Sequence, residues 1–215
     1  MDDFLTPGEK ALRRDVREYL LQRPTPAGGP GDAPDEAFLT AFRLRLNELG
    51  YLGFPPSGPG DGRAGWLESA LVVEEVSAAS PGLGLALIEA EAGPDATAGG
   101  VDVAAVVARD IGTAAAVIES CLAAARAKGL FESALMSYQE AQTGLADALS
   151  GLEAARLLAY RALRLIDKGD GEKGRAELRR ASSRVSEALA AAKSLASALA
   201  GTPGPLPGEP DKERT

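Results

Sequence analysis

The 36 residues from Phe131 to Ile166 carry an apolar stripe at alternating four- and three-residue steps and contain no proline. The stripe runs Phe131, Leu135, Tyr138, Leu145, Leu149, Leu152, Ala159, Leu163 and Ile166, interrupted only by Gln142 and Arg156. This is the period of an α-helix with one buried seam. At roughly 1.5 Å per residue such a helix extends about 54 Å, and it cannot bury its seam alone, so the pattern predicts an antiparallel helical bundle. A second long helix is predicted from about Val101 to Lys128, with Ala104, Val107, Ile111, Ala114, Ile118, Leu122 and Ala125 at heptad spacing. A third runs from Glu172 to about Leu199 and presents Leu178, Val185, Leu189, Ala192, Ala196 and Leu199. The basic turn and glycine at Lys168-Gly169 stop the helix that begins at Phe131.

The first half of the chain carries shorter periodic segments. Thr6-Pro7-Gly8-Glu9 predicts a helix start in which Thr6 caps, Pro7 takes the first helical position and Glu9 reaches back. That helix continues through Leu12, Val16, Tyr19 and Leu20 and ends at Arg23-Pro24. Pro24 to Pro34 reads as a loop. A second helix covers about Asp35 to Leu49, with Phe38, Phe42, Leu46 and Leu49 on one face and Gly50 as its stop. Phe54 to Gly65 is a glycine- and proline-rich connector. A third helix, Trp66 to Ala79, carries the stripe Leu67, Ala70, Leu71 and Glu74, and a fourth, short one runs from about Leu83 to Ala90. The expected architecture is all-α: a short-helix subdomain over 1–92, a linker over 93–100, a long-helix bundle over 101–200, and a tail, 201–215, too rich in proline, glycine and charge to pack.

Composition sharpens this picture by exclusion. Aromatic residues are only 5% of the 215 while hydrophobic content is 45%, which suits close helix-on-helix packing. The net charge of −8 opposes binding to a phosphate backbone, so no nucleic-acid partner is expected. No segment approaches the ~20 apolar residues of a membrane span, and the start MDDFLTPGEK is acidic where a signal peptide is basic. A cytoplasmic chain with no membrane partner is expected. Histidine is absent, which removes imidazole bases, Ser-His and Cys-His nucleophile pairs and histidine metal ligands. Cys121 beside Ile118 and Leu122 reads as a buried, inert thiol. The close carboxylate pairs, Glu74-Glu75 and Glu89 with Glu91, are read as solvated helix faces, since neighbours at i and i+1 point in different directions.

The order of segments carries a resemblance. MDDFLTPGEKALRRDVREYL, FRLRLNELGYLGFPP and LESALVVEEVSAASPGLGLAL resemble, in that order, the N-terminal helical domain of acyl-CoA dehydrogenases. DIGTAAAVIESCLAAARAKGLF and YQEAQTGLADALSGLEAARLLAYRALRLIDKG resemble the C-terminal helical domain of the same family, so that the likeness covers roughly Phe4 to Ala200. The resemblance implies an oligomerising helical bundle and FAD-dependent oxidation of acyl thioesters. It also implies a β-barrel domain between the two helical halves, where this sequence has only residues 93–100.

Measured against that family pattern, the chain is a form lacking the barrel and the C-terminal catalytic segment. The family's arginine that contacts the flavin diphosphate across the dimer falls on Lys128, three residues before Phe131-Glu132. Lysine lacks the bidentate fork, and Glu132 repels a diphosphate. The family's CoA-contacting arginine falls on Val103, and beyond Ala200 the proline-rich tail stands where the family has a flavin-contacting turn and, in many members, the catalytic glutamate. No catalytic residue and no metal ligand is therefore assigned. Lys128, Phe131, Leu135 and Tyr138 are the cofactor-facing candidates that the resemblance implies, effective only if a partner completes the site. Three readings follow. The chain is a non-catalytic oligomerisation or accessory subunit, pairing with itself as a homodimer or higher assembly or with a full-length acyl-CoA dehydrogenase paralogue, and holding no cofactor when isolated. Alternatively it is part of an active heteromer that acquires FAD, or an acyl-group binding protein with a pocket lined by residues such as Leu71, Leu85, Leu87 and Leu157. For those leucines ordinary core packing is the favoured account.

Overall fold

The structure, a computed structural model, describes residues 4–22, 36–48, 64–92, 103–127 and 139–201. Within them the chain forms α1 (Pro7–Gln22), α2 (Glu36–Glu48), α3 (Trp66–Ala79), α4 (Pro81–Ala92), α5 (Val103–Ala127), α6 (Gln139–Asp167) and α7 (Gly171–Gly201). No strand occurs among the described residues. The expected all-α architecture is therefore the observed one.

The local signals act as their chemistry requires. The Thr6 N–H donates to Glu9 Oε2 at 2.7 Å and the Glu9 N–H donates to Thr6 Oγ1 at 3.3 Å, a reciprocal capping box ahead of Pro7. Ser80 alone separates α3 from α4. Its N–H donates to the Val76 carbonyl at the end of α3, and its Oγ accepts from the Leu83 N–H in the first turn of α4. Pro81 is thus the first residue of a helix, where its missing N–H costs nothing. After α6, Gly169 adopts φ 88°, the Gly169 N–H donates to the Ile166 carbonyl, and the Asp170 N–H donates to the Leu165 carbonyl. Those two bonds are the Schellman arrangement, and a left-handed residue is what glycine supplies there.

The centre of the molecule is α3. It is buried almost all round, from Leu67 and Ser69 through Ser77, and it packs against α1, α4, α5 and α6. The seam of α5 faces inward, with Ala104, Val107, Ile111, Ala114, Ile118 and Ala125 buried and Leu122 only half-buried. Cys121 is 3% exposed, and burial pushes its thiol above the ordinary range. α6 and α7 form an antiparallel hairpin beside α5. One apolar core runs through residues of α1 to α7, so the short-helix and long-helix segments share it. Phe42 of α2 stacks on Tyr19 of α1, their ring centroids 5.5 Å apart.

Two helix crossings are closer than side chains ordinarily allow. A Cβ on Gly112 of α5 would lie 2.2 Å from the Glu74 carbonyl oxygen and 2.9 Å from Ser77 Cβ. One on Gly84 of α4 would lie 2.0 Å from Ser77 Oγ. Glycine at both positions lets α4 and α5 press onto the same turn of α3.

The predicted helix Phe131–Ile166 appears as Gln139–Asp167 among the described residues. Phe131, Leu135 and Tyr138 lie outside them, as does Lys128. Leu145, Leu152, Ala159 and Leu163 are buried on the seam, while Leu149 is 42% exposed.

Candidate functional site

Of the carboxylates read as solvated faces, Glu89 is exposed as expected, whereas Glu74 and Glu75 prove to be interior groups. Glu74 is 2% and Glu75 4% exposed. The reading rested on neighbours pointing in different directions, which they do, but on α3 both directions lead into protein.

Each carboxylate is met by cations from other helices. The Tyr160 hydroxyl of α6 donates to Glu74 Oε2 at 2.7 Å. Arg156 Nε of α6 lies 3.1 Å from Glu74 Oε1, and Arg13 Nη2 of α1 lies 3.4 Å from the same oxygen. Arg13 Nε donates to Glu75 Oε1 at 2.7 Å, and Arg17, one turn further along α1, reaches both oxygens of Glu75 at 3.0 Å. Arg156 also pairs with Glu153. Three guanidinium groups thus meet three carboxylates, with Tyr160 as the neutral member. Arg156, seen in the sequence as a break in the α6 seam, is the residue that carries charge to α3.

The electrostatics agree with that geometry. Burial alone would pull the Arg13 guanidinium down, but Glu74, Tyr160 and Glu75 outweigh it and hold the cation more firmly than usual. Arg156 follows the same balance, opposed by burial and held up chiefly by Glu74. Burial, and then the Glu74 charge, push the Tyr160 hydroxyl well above its usual value near 10, so it stays protonated and donating. Glu74, surrounded by three donors and closed off from solvent, is a fixed acceptor and not an accessible base.

Two further contacts tie α6 to the first half of the chain. Asp167, at the end of α6, accepts from the Trp66 N–H at 2.7 Å and the Leu67 N–H at 3.2 Å, capping α3 from outside. A Cβ on Gly65 would crowd that carboxylate at 3.0 Å. Arg164 donates at 2.8 Å to both the Phe4 carbonyl and Glu9 Oε2.

The flank of α6 beside these contacts is open. Leu157 is 36% and Leu158 44% exposed, beside Phe4 at 65%. They border a groove of about 640 Å³ whose other lining residues include Ala154, Leu165, Arg161, Arg164 and Lys168. Its floor is apolar and its far end cationic. A smaller groove of about 380 Å³ runs between α5 and α6, lined by Ile118, Leu122, Gln142, Leu145, Ala146 and Leu149.

The four leucines named for an acyl pocket do not converge. Leu71 and Leu87 are packed in the core at 0% and 2% exposure, while Leu85 and Leu157 lie at the surface. Leu157 alone borders the larger groove.

Among the described residues, no cluster of His, Cys, Asp and Glu could hold a metal, and no helix is long and apolar enough to cross a membrane. Among the described residues no unbonded buried side-chain polar atom opens onto a groove. Their buried side-chain polar atoms without a hydrogen bond are Ser77 Oγ and Arg156 Nε. The first is enclosed by Gly84 and Gly112, and the second faces Glu74. Neither lines one of the two grooves. The candidates Lys128, Phe131, Leu135 and Tyr138 lie outside the described residues.

Among known families, the model of the acyl-CoA dehydrogenase C-terminal domain aligns with residues 102–214, more than half of the 215. No curated protein and no solved structure matches.

Proposed function

This chain belongs to the acyl-CoA dehydrogenase family, and on that footing we propose that it is a helical accessory subunit, non-catalytic by itself, that assembles with a second copy. The observation that carries the reading is the open side of α6, where Leu157, Leu158 and Phe4 stand exposed along one groove. Large apolar side chains adjoining on a rigid helix mark an interaction surface. The non-catalytic part rests on the chemistry of the buried carboxylates: Glu74 and Glu75 are consumed by Arg13, Arg17, Arg156 and Tyr160. It is also supported by the absence of histidine from the sequence and by the 93–102 segment that alone joins α4 to α5.

Sedimentation equilibrium of the purified chain at micromolar concentration tests the assembly. A dimer or higher species is expected, and Leu158→Glu should shift it to monomer without loss of helicity. A wild-type monomer at that concentration would overturn the reading. The isolated chain carries no FAD on this proposal, and a flavin band in its visible spectrum would overturn that part; a full-length paralogue completing the Lys128, Phe131, Leu135 and Tyr138 face remains the route by which the chain could serve an active heteromer.

The apolar floor and cationic end of the larger groove favour a second reading, binding of an acyl group with an anionic head. A fluorescent long-chain carboxylate distinguishes the two. Saturable binding to an Asp147→Arg variant, which is altered outside the groove and is studied at a concentration where it is monomeric, would support an acyl site separate from assembly, and binding that only competes with dimerisation would place both on one surface.

A further inference from the structure

We infer that α6 pairs antiparallel with α6 of a second copy about a two-fold axis beside Ala154, so that Asp147 of each copy meets Arg161 of the other. The inference rests on the self-assembly proposed above and specifies its geometry.

The outer stripe of α6 is a palindrome in position and a complement in chemistry. Counting from Ala154, steps of three, four and seven residues lead back to Gly151, Ser150 and Asp147, and forward to Leu157, Leu158 and Arg161. All of these positions are exposed, and their three- and four-residue spacing keeps them on one face of the helix. A two-fold axis perpendicular to the helix maps each backward step onto its forward counterpart in the partner. Leu157 then falls on Gly151, Leu158 on Ser150, and Asp147 on Arg161. Large side chains meet small ones, and opposite charges meet at both ends. A parallel pair in register would set acid on acid, Arg161 on Arg161, and glycine on glycine.

Gly151 supplies an independent reason. Glycine inside a helix weakens it, and among the described residues nothing beyond its chain neighbours and its own helix backbone comes within 4 Å of where its Cβ would stand. Gly112 and Gly84 are small because α3 presses on them; among the described residues no such neighbour accounts for Gly151. The Leu157 side chain of an antiparallel partner does. Arg161 is compatible with the arrangement. Its Nη2 and Nε face Glu177 of α7 at 3.3 Å, which leaves Nη1 to turn toward a second carboxylate.

Charge reversal tests the pairing. Asp147→Arg, read by sedimentation equilibrium, should raise the dimer dissociation constant roughly ten- to a hundredfold through two like-charge contacts. Arg161→Asp should do likewise, and the double exchange should return it to within a few-fold of wild type. Gly151→Leu should weaken the dimer while strengthening the helix. Because Arg161→Asp also faces Glu177, disulfide trapping provides a second readout. Mixed Ser150→Cys and Leu158→Cys chains carrying different tags should bond to each other in preference to themselves. A dimer in which each variant bonds only to itself, or in which the double exchange restores nothing, overturns the antiparallel geometry and leaves self-assembly standing. A wild-type monomer overturns both.

Discussion

Replacing Glu74 by glutamine should unfold the protein far more readily than replacing an ordinary surface carboxylate. The substitution keeps the side chain's shape, and a Gln carbonyl can still accept from Tyr160. What it removes is the charge lying 3.1 Å from Arg156 and 3.4 Å from Arg13. Those cations are themselves largely enclosed, with side-chain exposures of 11% and 17%, so water cannot replace the lost partner fully. Breaking a buried pair from one side costs about 3–5 kcal/mol. Arg156 keeps Glu153 and Arg13 keeps Glu75, which places the expected loss near the lower figure, about 3 kcal/mol. For a chain of this size that is a fall in melting temperature of about 6–12 °C. Tyr160→Phe deletes one hydrogen bond to a charged group and should cost about 2 kcal/mol. The two changes remove a shared contact, so the double variant should lose less than the sum. Urea denaturation followed by circular dichroism, at one protein concentration because the proposed assembly would shift the midpoint, measures all three. A Glu74→Gln variant within about 0.5 kcal/mol of wild type, the range of exposed sites, would refute the interior placement of this carboxylate and with it the account of the cluster.

Two further outcomes follow from the same contacts. Gly112→Ala gains about 1 kcal/mol of helix propensity, yet its methyl would meet the Glu74 carbonyl oxygen at 2.2 Å. Forcing α5 off α3 costs about 1–3 kcal/mol or more, so thermal melting should show net destabilisation; a gain would refute the close crossing. The second outcome concerns alkaline solution. Tyr160 has its pKa raised in the folded state by burial and then by Glu74, so its contribution to stability is complete below the unfolded value near 10 and is lost as pH rises through the folded value. The urea midpoint should therefore fall from about pH 10 upward, with a shallower fall in Tyr160→Phe; equal slopes would refute the shift.

What could be read from the sequence was local. The capping box at Thr6 and Glu9, the Gly169 stop and the α5 seam each depend on residues within a turn or two of one another, and each appears as read, save that Leu122 of the seam is only half-buried. The buried cluster joins residues far apart in sequence, 58 positions for Arg17 and Glu75, 61 for Arg13 and Glu74, and 86 for Glu74 and Tyr160, and local pattern does not reveal it. A signal was nevertheless present. The run Ala70 to Val76 leaves α3 without a polar face, and a helix apolar all round is an interior helix. Two carboxylates on such a helix require cations, and Arg13 and Arg17, one turn apart on α1, are spaced to supply them. Arg156 in the middle of an apolar seam was the other half of the clue. The expected cofactor face is a different case, because Lys128, Phe131, Leu135 and Tyr138 lie outside the described residues.

The polar contacts of α6 explain how two helical segments can share one core across residues 93–102. Hydrophobic seams alone fix a helix poorly against sliding, because one leucine serves nearly as well as the next. Directional bonds do not slide. Glu74 takes Tyr160 and Arg156 in the middle of α6, Glu9 takes Arg164 one turn later, and Asp167 caps α3 at the end. These anchors fall on residues 156, 160, 164 and 167, three or four apart, so they occupy a single face of the helix. Fixing that face sets the rotation of α6 about its own axis, and so determines that Leu157, Leu158 and Arg161 point outward. On this argument the buried charges act on the proposed assembly without touching it. Loosening them by Tyr160→Phe should weaken self-association as well as folding, whereas reversing Asp147 at the surface should weaken self-association alone.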